Sequence, residues 1–570
     1  MIGVLVQLVA LSSATSQAQS PSIEFGGLIQ SDLRFRILMD KDDPGPHYAP
    51  VEPLPQILRS QNLIKAKVLA KSGDFRGVAD IDFVMTGYPL PVDDLQGLTL
   101  RQNLEPIRLE THAMYFESRN FLTKNLDLRV GQQLVQFGVG DQFNPTNTFN
   151  PNDVEDVLLF GDQMANIMAR LDYTIQSWTL TGVLIPVFKP SLIPSSAPIG
   201  LSMVERLPFT EDDLRWRVHA EREAGVGFGF PVVVEQVTPN YPEPNLKNMQ
   251  WGLRAGGMVG TQDLGLSYYR GFADIPVPVS THTSQEIGEI CNDRGNQCVD
   301  GRLINRTQLE YPRIQVAGLN VSGELPVVLF GYRIEAAMVF PEEKRMTLTS
   351  DELVFLGGFY TQAEGEYDYN GEAEDGKGKK PVIIEKRPYP KWVVGLDYTI
   401  GSHLYVNGQW VHGMLDELGA GDNLLQDGFT VRDGGVDTDD AETAGCAFNQ
   451  DGESCAWETL RARQSDLAVL GADYNFASNS GRFRLFGIVD LTGIQEEHYN
   501  VKTEKRVRTT HGAFSGEGFS AVLYPELAYN FGSGLELMTG TLFNLGKPHT
   551  KFGSPEAGGS FYYTRARYAF

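Results

Sequence analysis

Apolar and polar residues alternate with period two along most of this chain, the periodicity of a β-strand whose two faces meet different surroundings. The pattern is clearest at 126–133 and 166–173, where one face is apolar and the other carries Asp127, Arg129, Arg170 and Asp172. So many charges on one face must meet water or opposite charge. The loop between the two segments contains Asn-Pro steps and glycines, which predict ordered turns.

Strand-like segments of about ten residues recur from Ile23 onward, and their connections alternate between short and long. The short connections fall at 71–74, 119–125, 175–177, 260–263, 323–326, 401–403, 477–481 and 532–534. Long connections separate them, among them 189–247, 342–390 and 415–463. This alternation predicts an all-β fold, a transmembrane up-and-down antiparallel β-barrel of about 18 strands with short periplasmic turns and long extracellular loops.

The two faces of a predicted strand indicate which side meets lipid. Around residue 110 the expected lipid face is apolar and consists of Leu109, Ala113 and Tyr115. The opposite, lumen-facing side carries Arg108, Glu110 and His112. An outward-facing arginine would cost about 2 to 4 kcal/mol near the bilayer midplane, so the charged side must face inward. We therefore predict a barrel in the outer membrane of a Gram-negative bacterium, in contact with membrane lipid and lipopolysaccharide.

The first residues of the sequence predict export. The apolar segment 2–11 is followed by small residues that fit a cleavage site after Ala18. We expect a signal peptide at 1–18 and a single outer-membrane barrel domain at 19–570; a buried helix or strand is the alternative interpretation of 2–11. Beyond the first dozen positions no run of about 18 apolar residues occurs, which excludes a transmembrane helix there.

The four cysteines form two close pairs in polar segments, Cys291 with Cys298 and Cys446 with Cys455. In an oxidising compartment each pair is expected to close a short disulfide loop. Zinc binding would need CxxC or Cys/His spacing, which neither pair has.

The net charge of the chain is -24 at pH 7, and the acidic residues are concentrated in the long loops, as at 364–368 and 437–442. Such a charge argues against nucleic acid as a partner. A solvated loop surface is the simplest interpretation, and the alternative is that divalent cations bridge these loops to lipopolysaccharide phosphates. No EF-hand spacing is present, so no metal-binding residue is predicted, and no cofactor is expected.

Catalytic motifs are absent from the sequence: none of the nine histidines accompanies a GxSxG or HExxH pattern. His112 shares the predicted lumen face with Arg108 and Glu110. A salt-bridge ladder in the lumen explains these three residues better than acid–base chemistry. The sequence therefore favours a protein that is not an enzyme.

The loop 137–162 is expected to fold into the lumen and narrow it. The segment after Asn150-Pro151 has the acidic start and apolar continuation of a short helix, and its apolar residues need cover that an extracellular position would deny them. The alternative is that the loop caps the outer rim against 189–247. The residues expected at the constriction are Arg108, Glu110, His112, Arg129, Asp141, Asp153, Arg170 and Asp172, with Asp141 and Asp153 facing the arginines.

The run Arg129-Val130-Gly131-Gln132-Gln133, then Gln136-Phe137-Gly138, Asp141, Asn144-Pro145 and Asn150-Pro151-Asn152-Asp153, resembles a motif of large Gram-negative outer-membrane barrels of mostly unassigned function. That group is similar in plan to alginate-export-type channels. Gln132 stands where the motif usually has Arg, and Phe137 where it usually has Trp. The resemblance implies a loop folded against or into the lumen and a channel for a small or polymeric solute.

The last residues of the sequence alternate and end on Phe570, with Tyr562, Ala566 and Tyr568 on the same face. This resembles the terminal signal that the outer-membrane barrel assembly machinery reads, and it implies that machinery as a partner. The alternative to a channel is a surface-exposed barrel that acts in adhesion or assembly through its long acidic loops.

Overall fold

A computed structural model describes residues 21–37, 57–86, 106–140, 143–153, 163–192, 233–291, 298–325, 330–345, 347–350, 382–384, 386–413, 426–433, 456–462, 465–500, 505–547, 550–553 and 559–570. Several predictions fall outside these residues: the signal peptide 1–18, Asp141, the short helix after Asp153, the acidic segments 364–368 and 437–442, and the pair Cys446 and Cys455.

The described residues form 28 strands, numbered here in chain order as β1 (Ser22–Arg36), β2 (Ile57–Ser72), β3 (Phe75–Thr86), β4 (Ile107–Ser118), β5 (Leu126–Gln133), β6 (Asn166–Ile175), β7 (Trp178–Ile185), β8 (Val233–Asn240), β9 (Gln250–Val259), β10 (Gln262–Phe272), β11 (Val277–Cys291), β12 (Cys298–Glu310), β13 (Arg313–Glu324), β14 (Gly331–Pro341), β15 (Lys344–Arg345), β16 (Thr347–Ser350), β17 (Val382–Ile384), β18 (Tyr389–Ile400), β19 (Leu404–His412), β20 (Gln426–Asp433), β21 (Ala456–Ala462), β22 (Asp466–Phe476), β23 (Gly481–Asp490), β24 (Ile494–Asn500), β25 (Lys505–His511), β26 (Ser520–Gly532), β27 (Leu535–Gly546) and β28 (Phe561–Ala569). One 3₁₀ turn, Leu246–Asn248, precedes β9. Among these residues no helix is long and apolar enough to cross a membrane.

Eighteen of these strands form one closed antiparallel barrel, which confirms the predicted fold class and strand number. Each barrel strand pairs with the next barrel strand along the chain, and β1 pairs with both β2 and β28, so the ring has no free edge. Short turns join alternate strand pairs at one end of the barrel. Gly73 and Gly260, with φ of 56° and 65°, lie in two of these turns in the left-handed conformation that glycine adopts without strain.

The outer face of the barrel is apolar. Phe25, Leu109, Phe116 and Leu253 are all more than half exposed on it, whereas charged side chains of the same strands point inward. An apolar belt around a closed sheet is what a bilayer requires, because only a closed barrel satisfies every backbone hydrogen bond in lipid.

One prediction about these faces is wrong. A β-bulge between Asp80 and Ile81 shifts the register of β3 against β4. Beyond the bulge the faces of β4 exchange, so that Met114 and Phe116 are exposed on the outer face. Tyr115, predicted to face lipid, instead lies beneath the Arg129 guanidinium, 5.8 Å from the ring centroid.

The other ten strands form three small sheets outside the barrel sheet. In one, the β11–β12 hairpin is flanked by β8 and β16, each pairing in parallel with its neighbour. Cys291 and Cys298 are register partners in this hairpin, and their side chains lie outside the described residues. The remaining sheets are the pair β15–β17 and the antiparallel set β20, β21, β24 and β25.

Candidate functional site

We call the connection between β5 and β6, residues 134–165, the inner loop, and its described residues lie against the inner face of the barrel. Its described parts are 134–140, 143–153 and 163–165. The motif asparagines fold the loop locally. The Asn150 side chain accepts a hydrogen bond from the Val135 amide at 2.8 Å and donates to the carbonyl oxygens of Gln133 and Met164 at 3.1 and 3.0 Å. These bonds bring the two ends of the loop together.

A buried carboxylate joins the inner loop to a distant part of the wall. Glu335 of β14 is 1% exposed. One carboxylate oxygen accepts hydrogen bonds from the amides of Val139 and Gly140 at 2.8 and 3.0 Å, and the other accepts from the amide and hydroxyl of Thr146, both at 2.8 Å. Because β14 lies well around the ring from β5 and β6, these bonds hold the loop across the interior and satisfy a charge that would be costly to bury alone.

Glycines in the wall make room for the loop. A side chain at Gly252 of β9 would meet the Phe149 ring at 2.4 Å, and one at Gly318 of β13 would meet Thr146 at 2.4 Å. Phe149 packs edge-on to Phe137 and Tyr269, with centroids 4.4 and 5.3 Å apart. The loop therefore sits in a recess that the wall sequence provides.

Phe143, 1% exposed, extends the contact to the next part of the wall. It belongs to a buried apolar cluster with inward residues of β18, β19, β22 and β23, namely Val393, Val411, Leu467, Val469 and Ile488. Phe552, from the connection between β27 and β28, joins the same cluster. Its backbone amide donates to the Ser520 hydroxyl at 2.8 Å. Two connections thus contribute to one buried cluster on the inner wall.

A second polar anchor holds the far end of the described loop. Asp274, which follows β10, accepts hydrogen bonds from the Asn152 amide and side chain at 3.2 and 3.1 Å and from the Ser191 hydroxyl. Asp153 forms a backbone bridge with Leu192 in the same place. Asp153 is thereby positioned beside the connection that follows β7.

In the barrel wall, the predicted arginines and His112 contact carboxylates, some of them predicted with them and some of them other residues of the wall. Arg108 pairs with Glu110 at 2.5 Å, His112 contacts Asp82 at 2.8 Å, and Arg170 pairs with Asp172 at 2.8 Å. Arg129 pairs with Glu117 at 3.3 Å. Arg129 and Arg170 are brought together as register partners, whereas Arg108, Glu110 and His112 form a separate group with Asp82 and Lys65.

Sequence reasoning missed Glu335, Thr146, Gly252 and Gly318 as parts of the site. Glu335 stands out in the sequence only as one of many inward charges, and its role depends on a contact with a loop almost two hundred residues away. The glycines were a usable signal, because glycine in a strand interior often marks a close approach by other backbone or side chains. Among the described residues, no group of three or more His, Cys, Asp or Glu side chains is arranged to hold a metal ion.

The closed ring of 18 strands, its apolar belt and its charged interior define the class: this is a β-barrel of the Gram-negative outer membrane. No protein family and no curated protein matches the chain.

Solved structures with a similar architecture include OccK2 (OpdF) of Pseudomonas aeruginosa, with 11% identity, 97% of both chains covered and a TM-score of 0.42. OccAB4 of Acinetobacter baumannii has 8% identity, coverage of 97% of this chain and 99% of that one, and a TM-score of 0.41. OccK5 (OpdH) of P. aeruginosa has 8% identity, coverage of 96% and 97%, and a TM-score of 0.40. These identities and TM-scores are too low to assign the chain to a family. The class given above follows from the chain's own strands.

Proposed function

We propose that this protein is a non-enzymatic channel that lets a solute cross the outer membrane. The observation that carries the proposal is the attachment of the inner loop to Glu335 across the interior of the barrel. A barrel of 18 strands encloses a wide lumen unless something fills it. The loop contacts the wall from β9 to β23 and would narrow that lumen. It would not seal it, because charged side chains elsewhere on the wall stay partly exposed, such as Lys65 of β2 and Glu536 of β27 at 26% each.

We extend the proposal to the solute that passes and to the family that the channel resembles. The solute is small or polymeric. The similarity in plan to alginate-export-type channels is supported by Asn150 of the motif, whose side chain joins the two ends of the inner loop. The proposed partners are lipopolysaccharide, divalent cations at the acidic loops, and the outer-membrane barrel assembly machinery, which would recognise the end of the chain at Phe570. Phe570 is half of a reciprocal backbone pair with Gly27 of β1, with both hydrogen bonds at 3.0 Å.

Single-channel recording in planar bilayers tests the proposal. The wild-type barrel is expected to show discrete openings. Deletion of 146–155, which removes Thr146 and Phe149, is expected to raise the conductance. Heat-modifiable mobility on a gel serves as the folding control for both proteins.

The outcomes separate the two positions considered for the loop and the two functions considered for the barrel. An unchanged conductance in a folded deletion variant would support a loop that only caps the rim. A folded wild-type barrel that never opens, with or without the loop, would overturn the channel and favour adhesion or assembly through the long loops.

A further inference from the structure

A groove with a volume of about 500 Å³ lies on the outer face of the barrel, across β5, β6, β7, β9 and β10. Outward side chains line it, namely Leu126, Leu171, Tyr173, Leu180, Leu253 and Leu266. Gly182 lies between its register partners Leu171 and Leu253, and a Cβ there would meet nothing nearer than Leu253 at 3.8 Å. The sheet therefore leaves room for an apolar chain on the surface that faces lipid. We call this space the outer groove.

Two aromatic rings lie at one end of the outer groove. Tyr268 of β10 lines the groove, and the centroid of its ring is 5.3 Å from that of Trp251 on β9. Both residues belong to the end of their strands that is far from the short turn at Gly260. In outer-membrane barrels the short turns face the periplasm, and aromatic girdles lie where the hydrocarbon meets the headgroups. The pair therefore marks the headgroup level of the outer leaflet.

An exposed arginine lies beyond the aromatic pair. Arg270 is two residues after Tyr268 on the same outer face, a rise of about 7 Å along the strand. Its register partners are Trp251 and Gln315, neither of which is charged. Within the described part of the chain, the Arg270 side chain forms no ion pair and no hydrogen bond. Its N–H donors are therefore open to a ligand at the membrane surface.

A second outward arginine is the diagonal neighbour of Arg270. Arg313 of β13 is the register partner of Phe272, two residues beyond Arg270, a placement that separates the two arginines by about 7 to 8 Å at the backbone. The Arg313 guanidinium lies over the Phe272 ring, 4.5 Å from its centroid. One of its terminal nitrogens donates to the Asn248 side chain and to the Lys247 carbonyl oxygen. Long side chains can bridge such a distance around one shared anion.

The acids near Arg313 have other cationic neighbours. Glu342 accepts a hydrogen bond from the Arg313 amide at 3.3 Å and lies 4.0 Å from the Lys344 ammonium. Glu310 pairs with the same lysine at 3.2 Å. Among the described residues no carboxylate pairs with the guanidinium of Arg270 or of Arg313. The outer groove thus leads to two arginines without an acidic partner.

We propose that the outer groove and Arg270, with Arg313 beside it, bind lipopolysaccharide. One acyl chain would lie in the groove and a phosphate of lipid A would contact the arginines. The order of groove, aromatic pair and cations along the wall matches the order of acyl chain, interface and phosphate in the lipid. A guanidinium forms paired, charge-assisted hydrogen bonds to phosphate. This inference rests on the part of the proposed function that names lipopolysaccharide as a partner, and it assigns residues to that contact.

Binding of purified lipid A to the full-length barrel tests the site. The barrel is refolded in detergent that contains no lipopolysaccharide, and its folding is checked by heat-modifiable mobility. Dissociation constants are measured for bisphosphorylated lipid A and for lipid A without its phosphates. The proteins are the wild type, Arg270→Gln, Gly182→Leu and Lys124→Gln. Lys124 is the matched control, because it is an exposed cation of a short turn at the opposite end and its side chain has no partner among the described residues.

The two site variants are expected to differ in a way that separates phosphate from acyl chain. Arg270→Gln should weaken binding of the bisphosphorylated lipid about fivefold, the effect of one basic side chain near a charged membrane surface, and leave the dephosphorylated lipid unaffected. Gly182→Leu places a side chain in the groove and should weaken binding of both lipids. Lys124→Gln should bind both as the wild type does.

Failure of the site differs from failure of the proposed function. Equal binding of bisphosphorylated lipid A to the wild type, Arg270→Gln and Gly182→Leu would overturn this site and keep lipopolysaccharide as a partner, whereas no binding to the wild type would overturn both. An oligomer that forms without lipid and that Gly182→Leu disperses would place a second copy of the chain in the groove and overturn the lipid site. Silent bilayers together with the expected binding pattern would overturn the channel and keep the site.

Discussion

Thr146 donates two hydrogen bonds to one oxygen of Glu335, from its amide and from its hydroxyl, each 2.8 Å long. The two residues lie in the inner loop and on β14, so this contact connects parts of the chain that are far apart in sequence. With Val139 and Gly140 on the other oxygen, the carboxylate has four donors and 1% exposure. Glu335 is therefore the residue on which the position of the loop most depends.

We predict that Glu335→Ala releases the loop. The variant leaves three loop amides without an acceptor, at about 1 to 3 kcal/mol each. Hydrogen–deuterium exchange should then become faster at Val139, Gly140 and Thr146. Asp397→Asn is the control, since Asp397 pairs with Arg333 on the same wall and has no hydrogen bond or ion pair with the described residues of the loop. Unchanged exchange at those three amides in Glu335→Ala would contradict the anchoring role.

Gly252→Ala should displace Phe149 from its recess. The added Cβ would lie 2.4 Å from the ring, a clash that overpacking data put at about 1 to 3 kcal/mol. Thermal unfolding should show a lower Tm, and Phe149→Leu in the same chain should recover part of it. Gly182→Ala on β7, whose Cβ would find its nearest atom at 3.8 Å, should leave Tm nearly unchanged. Equal Tm values for the two alanine variants would argue against the recess.

The seam between β1 and β28 depends on Gly27. A Cβ there would meet the Lys65 carbonyl oxygen at 2.3 Å and the Phe570 ring at 2.8 Å. Gly27→Ala should therefore reduce the fraction of protein that reaches the heat-modifiable, closed form. Gly26→Ala is the neighbouring control, because its nearest atom would be 3.6 Å away. A closed fraction as large in Gly27→Ala as in Gly26→Ala would refute this dependence.

The disulfides remain a prediction, and the hairpin register supports one of them. Cys291 and Cys298 are cross-strand partners of β11 and β12, a placement that brings Cβ atoms to about 4.5 to 5.5 Å, somewhat wider than the separation across a disulfide. Non-reducing peptide mapping should find Cys291 joined to Cys298 and Cys446 joined to Cys455. Free thiols, or links between the two pairs, would contradict it.

The sequence predicts the barrel well because alternation along a strand is local. The charges of Arg129 and Arg170 mark the inner face, and the structure keeps them there. Local periodicity fails at the β-bulge opposite Asp80 and Ile81, where one extra residue exchanges the faces of β4 and turns Tyr115 inward. Nothing in the composition of that segment marks the bulge.

The site is less predictable than the fold because it depends on register between distant strands. The sequence indicates an ordered loop with structural asparagines, and Asn150 fulfils that role. It does not indicate which inward acid receives the loop, since Glu335 resembles its neighbours until β14 is placed across from Thr146. In the same way, Gly252 and Gly318 acquire meaning only when Phe149 and Thr146 lie over them.

Phe143 and Phe552 share one apolar cluster although one precedes β6 and the other lies between β27 and β28. During biogenesis the first of these rings is made long before the second, and the cluster that they share is incomplete until the connection between β27 and β28 is in place. Contacts between such distant parts of a chain form late and slowly. The inner loop therefore reports on maturation: its protection should be the last to appear as the newly made barrel acquires its native state.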